Sequence, residues 1–150
     1  LRYLFDTNVL VYSVDPRDPA KMERARETIR RAVGAGSAAL PAQALSEYAN
    51  VRLRKLRPAP DPGAISREVE RLLLAFPVLP LTGPVVLEAL RGVRDHGLSY
   101  YDAQVWAAAR LGQIDAVLSE DFNPGAVLEG VRFLNPLDPA FEPTSIVWSV

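Results

Sequence analysis

Cysteine is absent from this 150-residue chain. That excludes disulfides, thiolate metal sites and cysteine nucleophiles, and it is compatible with a reducing cytoplasm. Histidine occurs once, as His96, too few for an imidazole-held zinc site or a His-based triad. No apolar run is long enough to span a bilayer, so no membrane partner is expected. The first apolar run is broken by Asp6 and Asn8 and lacks both a basic start and a small-residue cleavage site, so it does not read as a signal peptide. A strong charge of one sign is also missing. The net charge of -1 and a pI near 5.9 exclude a globally basic nucleic-acid binder, so any RNA contact must come from a local patch. Lysine is scarce, present only as Lys21 and Lys55. The resulting arginine bias suits bidentate phosphate contacts, although a GC-rich coding sequence produces the same bias.

What is present fits one compact domain over residues 1–150, long enough to bury a core without covalent staples. Strand and helix signals alternate along it, which argues for a parallel sheet with helices on both faces. Arg2 to Phe5 reads as a buried strand that halts on Asp6-Thr7-Asn8. In such a fold the residue after a strand emerges at the carboxyl edge of the sheet, where open parallel sheets bind ligands. Asp6 is thereby a candidate for the rim of a cleft. The competing reading is that Asp-Thr-Asn only caps the next helix.

Val9 to Val14 reads as that short helix, and Asp18-Pro19 starts a longer one that runs to Gly34. Its far face carries Arg24, Arg30 and Arg31, read as a solvated surface. Ser37 to Leu40 is the second strand, and Pro41 opens a helix with Leu45, Tyr48, Ala49, Leu53 and Leu56 as its apolar stripe. Glu47 lies at the margin of that stripe, in the early turns after a strand. It is either a cleft residue or a surface glutamate favoured by the helix dipole. Arg52, Arg54, Lys55 and Arg57 form the most basic segment and the best local candidate for phosphate contact.

Pro58 to Gly63 is a loop, followed by a helix through Phe76 that makes a hairpin with the preceding one. A short proline-hemmed strand follows at 76–81, then a helix from Thr82 that ends at His96-Gly97. His96 there reads as a dipole or cap interaction. Ser99 to Gly112 is a nearly apolar, buried helix, in which Ser99 and Asp102 match a capping box. A carboxylate in that first turn can also face a cleft. Asp115 to Ser119 is a strand, left by the turn Glu120 to Gly125 that contains Asp121 and Asn123. Val131 to Leu134 is the last strand. The tail over 136–150 is expected to wrap the surface, with Ile146, Val147 and Trp148 packing back or adding an edge strand.

Asp6, Glu47, Asp102 and Asp121 can therefore all reach one edge of the sheet. Carboxylates about 5 Å apart repel by roughly 3 kcal/mol at an effective dielectric of about 20, so the cluster calls for a proton or a cation. Oxygen-only ligation points to Mg²⁺, with Mn²⁺ as substitute. Such an ion orients and acidifies water and stabilises charge on a phosphodiester, which implies metal-assisted hydrolysis by one or two ions. Thr7, Asn8, Ser119 and Asn123 are placed to hydrogen-bond bound water or a substrate phosphate.

Phe-Asp-Thr-Asn-Val-Leu at the start, Glu47 on the helix after the second strand, Tyr-Asp-Ala-Gln-Val-Trp around Asp102 and Leu-Ser-Glu-Asp-Phe around Asp121 resemble a PIN domain. More narrowly, the chain resembles the VapC-type toxins of bacterial toxin–antitoxin pairs. The likeness runs in order over nearly the whole chain and weakens after Pro136. It implies a three-layer α/β/α sandwich around a mainly parallel sheet, Mg²⁺-dependent endoribonuclease activity, homodimerisation, and neutralisation by a cognate antitoxin bound over the cleft. By the same resemblance Asp6, Glu47, Asp102 and Asp121 form the acidic site, with Asp6 and Asp102 the surest metal ligands and Asp121 joining them. Thr7 and Ser119 match auxiliary hydroxyl positions.

Two rivals remain at this level. A phosphoacceptor receiver domain or aspartyl phosphatase needs a second acid close to the first and usually a late lysine, and no lysine follows Lys55. A PIN-like adaptor that binds RNA or protein without cleaving keeps the same fold and is separated from a nuclease only by assay.

Overall fold

The computed structural model describes residues 2–56, 58 and 60–146. Its centre is a six-stranded sheet in the order β3-β2-β1-β4-β6-β5. The strands are β1 (Tyr3–Phe5), β2 (Ala38–Pro41), β3 (Val78–Leu79), β4 (Ala116–Leu118), β5 (Val127–Leu128) and β6 (Val131–Leu134). Each neighbouring pair is parallel except β5 with β6. The helices are α1 (Thr7–Tyr12), α2 (Pro19–Gly34), α3 (Ala42–Arg54), α4 (Pro62–Ala75), α5 (Gly83–His96) and α6 (Tyr100–Leu111).

Side chains alternate across a strand, and here the alternation sorts residues into two cores. Tyr3, Phe5, Leu40 and Leu118 pack with Leu10, Ala25 and Tyr48 from α1, α2 and α3. Leu4, Ala39, Val117 and Phe133 pack on the other face with Ala89 and Trp106 from α5 and α6. The sheet is thus covered on both sides, giving the three-layer α/β/α sandwich. α5 lies so close to α6 that a Cβ on Gly92 would stand 2.8 Å from the Trp106 ring.

Local chemistry sets the helix starts. Asp18 accepts from the Lys21 amide ahead of Pro19, and Asp61 accepts from the Ala64 amide ahead of Pro62. The second of these starts α4 inside the stretch read as a loop. α1 starts at Thr7, earlier than the expected Val9, because Asp6 accepts from the Thr7 amide as its cap. The β5–β6 hairpin was not legible in the sequence. It closes through Glu129 and Gly130, both in left-handed backbone.

Several expectations are corrected. Leu53, expected on the apolar stripe, is 42% exposed, and Ala44, not expected there, is buried on α3. Ser99 makes no side-chain cap bond, so the Ser99–Asp102 capping box does not form. His96 does stand in the last turn of α5, as expected, and adds a bond to Glu129 at 2.7 Å and an edge-on contact with Trp106, while left-handed Gly97 closes the helix. Arg24 is not a free surface cation. It donates to the carbonyls of Asp138, Pro139 and Phe141 and so holds the tail against α2. Leu137 and Ile146 are buried along that tail, whereas Val147 and Trp148 lie outside the described residues. Among the described residues no helix is long and apolar enough to cross a membrane.

Candidate active site

The strand order turns between β1 and β4, since the chain passes from β1 to β2 and β3 on one side and from β4 to β6 on the other. Such switch points open a crevice at the carboxyl edge of a parallel sheet. Asp6 leaves β1 there, and the segment Ser119 to Asp121 leaves β4 beside it. α3, which follows β2, brings Gln43 and Glu47, and the first turn of α6 brings Asp102. The crevice is a cavity of about 350 Å³ lined by Asp6, Glu47, Asp102 and Asp121 together with Thr7 and Asn8. Four acids widely separated in sequence thus face one space.

Asp6 is 5% exposed. One of its oxygens accepts from the Thr7 amide and the other from the Ser119 hydroxyl, both at 2.8 Å. It is therefore a helix cap and a cavity residue at once, and the two readings of the sequence do not compete. Burial pushes its carboxyl from 3.8 up to about 6; the Ser119 and Thr7 bonds oppose this, and the charges of Asp121 and Glu47 add to it. Ser119 also accepts from the Asp121 amide and from the Asn8 carboxamide. Asn8 donates in turn to the Asp121 carboxylate at 3.1 Å. Glu47 accepts from the Thr7 hydroxyl at 2.9 Å. Ser119 and Asn8 thus fix the acids relative to one another, with Ser119 buried beneath the cavity floor.

Other expected contacts fall elsewhere. Asn123 is exposed in the turn after β4, where its carbonyl accepts from the Ala126 amide, and it does not line the cavity. Arg52 is engaged by Glu68 through two hydrogen bonds, the two side chains being 15% and 19% exposed, so it is no free phosphate ligand. Arg54 is exposed at the end of α3 and away from the cavity lining. Lys55 does line it. Arg57 lies outside the described residues.

Sequence reasoning missed Asp15, Arg17, Gln43, Tyr12 and Tyr101, all of which line the cavity. Arg17 is gripped by the buried Asp15 through its Nε at 2.9 Å and a terminal nitrogen at 2.8 Å. The only sequence signal was an Asp-Pro-Arg turn directly after a two-turn helix, which brings the chain back over its own start. Tyr101 is 65% exposed and braced edge-on by Tyr100. The rim therefore offers cations and an aromatic face around an acidic centre.

The donor set is carboxylate, carboxamide and hydroxyl oxygen, which suits a hard divalent cation such as Mg²⁺ or Mn²⁺. A buried carboxyl whose ionisation is opposed by neighbouring acids fits the same need. Among the described residues no three acid or imidazole side chains stand close enough to enclose an ion. Ligation would have to draw the acids in by rotamer changes or use water to complete the shell.

Comparison with known proteins agrees with this geometry. The sequence model of the PIN domain matches residues 3–127. This chain belongs to the PIN-domain family. Its fold is similar to that of a chain in a toxin–antitoxin complex from Klebsiella pneumoniae, at 16% identity over 89% of this chain and 97% of that one, with a TM-score of 0.60. FitAcB from Neisseria gonorrhoeae matches at 19% identity over 89% and 97%, with a TM-score of 0.64. DNA-bound VapBC from Salmonella typhimurium matches at 15% identity over 91% and 98%, with a TM-score of 0.63. A search of curated proteins finds no match.

Proposed function

We propose that this chain is a Mg²⁺-dependent endoribonuclease and the toxin of a VapBC-type toxin–antitoxin pair, working as a homodimer and neutralised by a cognate antitoxin. The observation that carries the nuclease reading is that acids from four separate segments line one cavity around the buried Asp6. Membership of the PIN family and a fold shared with chains of toxin–antitoxin complexes support it.

Asp6, Asp102 and Asp121 would hold the ion. When bound, a divalent cation supplies an acidified water and offsets charge building on the phosphodiester. Glu47, steadied by Thr7, takes the proton of the attacking water. Ser119 and Asn8 keep Asp6 and Asp121 in register. Lys55 receives a backbone phosphate, and Tyr101 offers a face on which an unpaired base can stack. Such contacts read single strands by shape and stacking.

The experiment is incubation of the purified protein with structured and unstructured RNAs in Mg²⁺, Mn²⁺ or EDTA. Cleavage that needs the metal and is lost in Asp6→Asn is expected. Cleavage that ignores EDTA or survives Asp6→Asn rejects the mechanism. The spacing of the acids favours one alternative, a non-cleaving adaptor; RNA or protein binding without cleavage in either metal would establish it.

A further inference from the structure

α6 buries seven consecutive residues, Ala103 to Ala109, and six of them are alanine, valine or tryptophan. The exception is Gln104, 5% exposed. A buried carboxamide is costly unless it is hydrogen-bonded, and nothing in the packing of an apolar helix calls for one. The space beside it and Gln43 is about 10 Å³, at the lower limit for a single water of about 10–15 Å³. Its hydrogen bond goes to protein.

That partner is Gln43. The Gln104 amide donates to the Gln43 carbonyl oxygen at 2.7 Å, and the Gln43 amide donates to the Glu47 carboxylate at 2.6 Å. The other Glu47 oxygen accepts from Thr7. The direction of the chain is forced. A carboxylate only accepts, so Gln43 must turn its NH₂ toward Glu47, which leaves its carbonyl oxygen needing the donor that Gln104 supplies. Reversing either amide would set oxygen against oxygen.

We infer that Gln104 is a positioning residue, which fixes Gln43 and through it holds the Glu47 carboxylate facing the catalytic cavity. The assignment rests on the nuclease reading for its consequence, but not for its geometry. Gln104 does not itself line the cavity. It acts because successive hydrogen bonds polarise one another and restrict the rotamers of two more exposed side chains.

The chain contains three glutamines, 43, 104 and 113, so side-chain amide NMR signals of ¹⁵N-labelled glutamine test the relay without any turnover. Glu47→Ala should move the amide signals of both Gln43 and Gln104 and leave Gln113 in place. Unmoved Gln104 signals overturn the relay. In RNA cleavage, Gln104→Met should lower kcat about tenfold with little change in KM, and should cause no further loss in a Glu47→Ala background. Equal losses in both backgrounds would mean a general packing defect and overturn the proposal. If the wild type cleaves no RNA, the nuclease reading fails, and the NMR result still decides the relay.

Discussion

The Ser119 hydroxyl donates to the Asp6 carboxylate at 2.8 Å, and that bond joins the residues that leave β1 and β4 at the switch point of the sheet. Both partners are buried. Ser119 also accepts from the Asp121 amide and the Asn8 carboxamide. Ser119→Ala therefore strips three groups of a partner at once. Leaving buried polar groups unpaired costs about 1–3 kcal/mol, and urea denaturation at neutral pH should show a loss in that range. A midpoint equal to that of the wild type would contradict it.

Asp6 gives a pH signature. Its folded pKa of about 6 lies above the ordinary 3.8, so between these values the folded state holds a proton that the unfolded state has released. This favours folding below about pH 4 and is lost as pH rises through about 6, a swing of roughly 3 kcal/mol. In EDTA, the difference in stability between wild type and Asp6→Asn should grow over that window, with the mutant the more stable at pH 7.5. Parallel stability curves would count against the burial of this charge.

A bound cation would relieve the same penalty. Mg²⁺ or Mn²⁺ should raise the Tm of the wild type, since a ligand that binds only the folded state stabilises it by mass action. Asp102→Asn should weaken that response, because Asp102 lines the cavity and is free of any capping box. Equal shifts in the two proteins would argue against a shared site.

The basic segment of α3 should divide in two. Arg52 closes a half-buried network with Glu68, which also accepts from the Tyr48 hydroxyl at 2.9 Å. Arg52→Met should destabilise by about 1–3 kcal/mol, with RNA affinity unchanged in the folded fraction. Lys55→Ala should leave Tm almost unchanged while weakening RNA binding and reducing its salt dependence by about one phosphate contact. Filter binding across a salt series, run beside thermal denaturation, separates the two.

Gly92 offers a packing test remote from the site. A Cβ there would meet the Trp106 ring at 2.8 Å. Gly92→Ala should cost about 1–3 kcal/mol by overpacking, despite the better helix propensity of alanine. Scanning calorimetry that finds the mutant as stable as the wild type would show that α5 can move away from α6.

Strand and helix types along most of the chain were legible because hydrophobic period and caps are local properties, as Asp18-Pro19 at the start of α2 illustrates. So was the arrival of Asp6 and Asp121 at one edge, since a residue that follows a strand of a parallel sheet emerges there whatever packs around it. Pairing between elements was not legible. Nothing near Arg52 in sequence announces Glu68, nor does Asp15-Pro16-Arg17 announce a cation on the cavity rim. The turn at Glu129 and Gly130 likewise gave no strand signal, because β5 is only two residues long. The sequence by itself determined which groups come to the edge of the sheet. Only the packing of helix on helix decided which charges are neutralised, which stay open to a ligand, and why a buried glutamine sits in an alanine-rich helix, because those outcomes depend on distances between segments that no local period encodes.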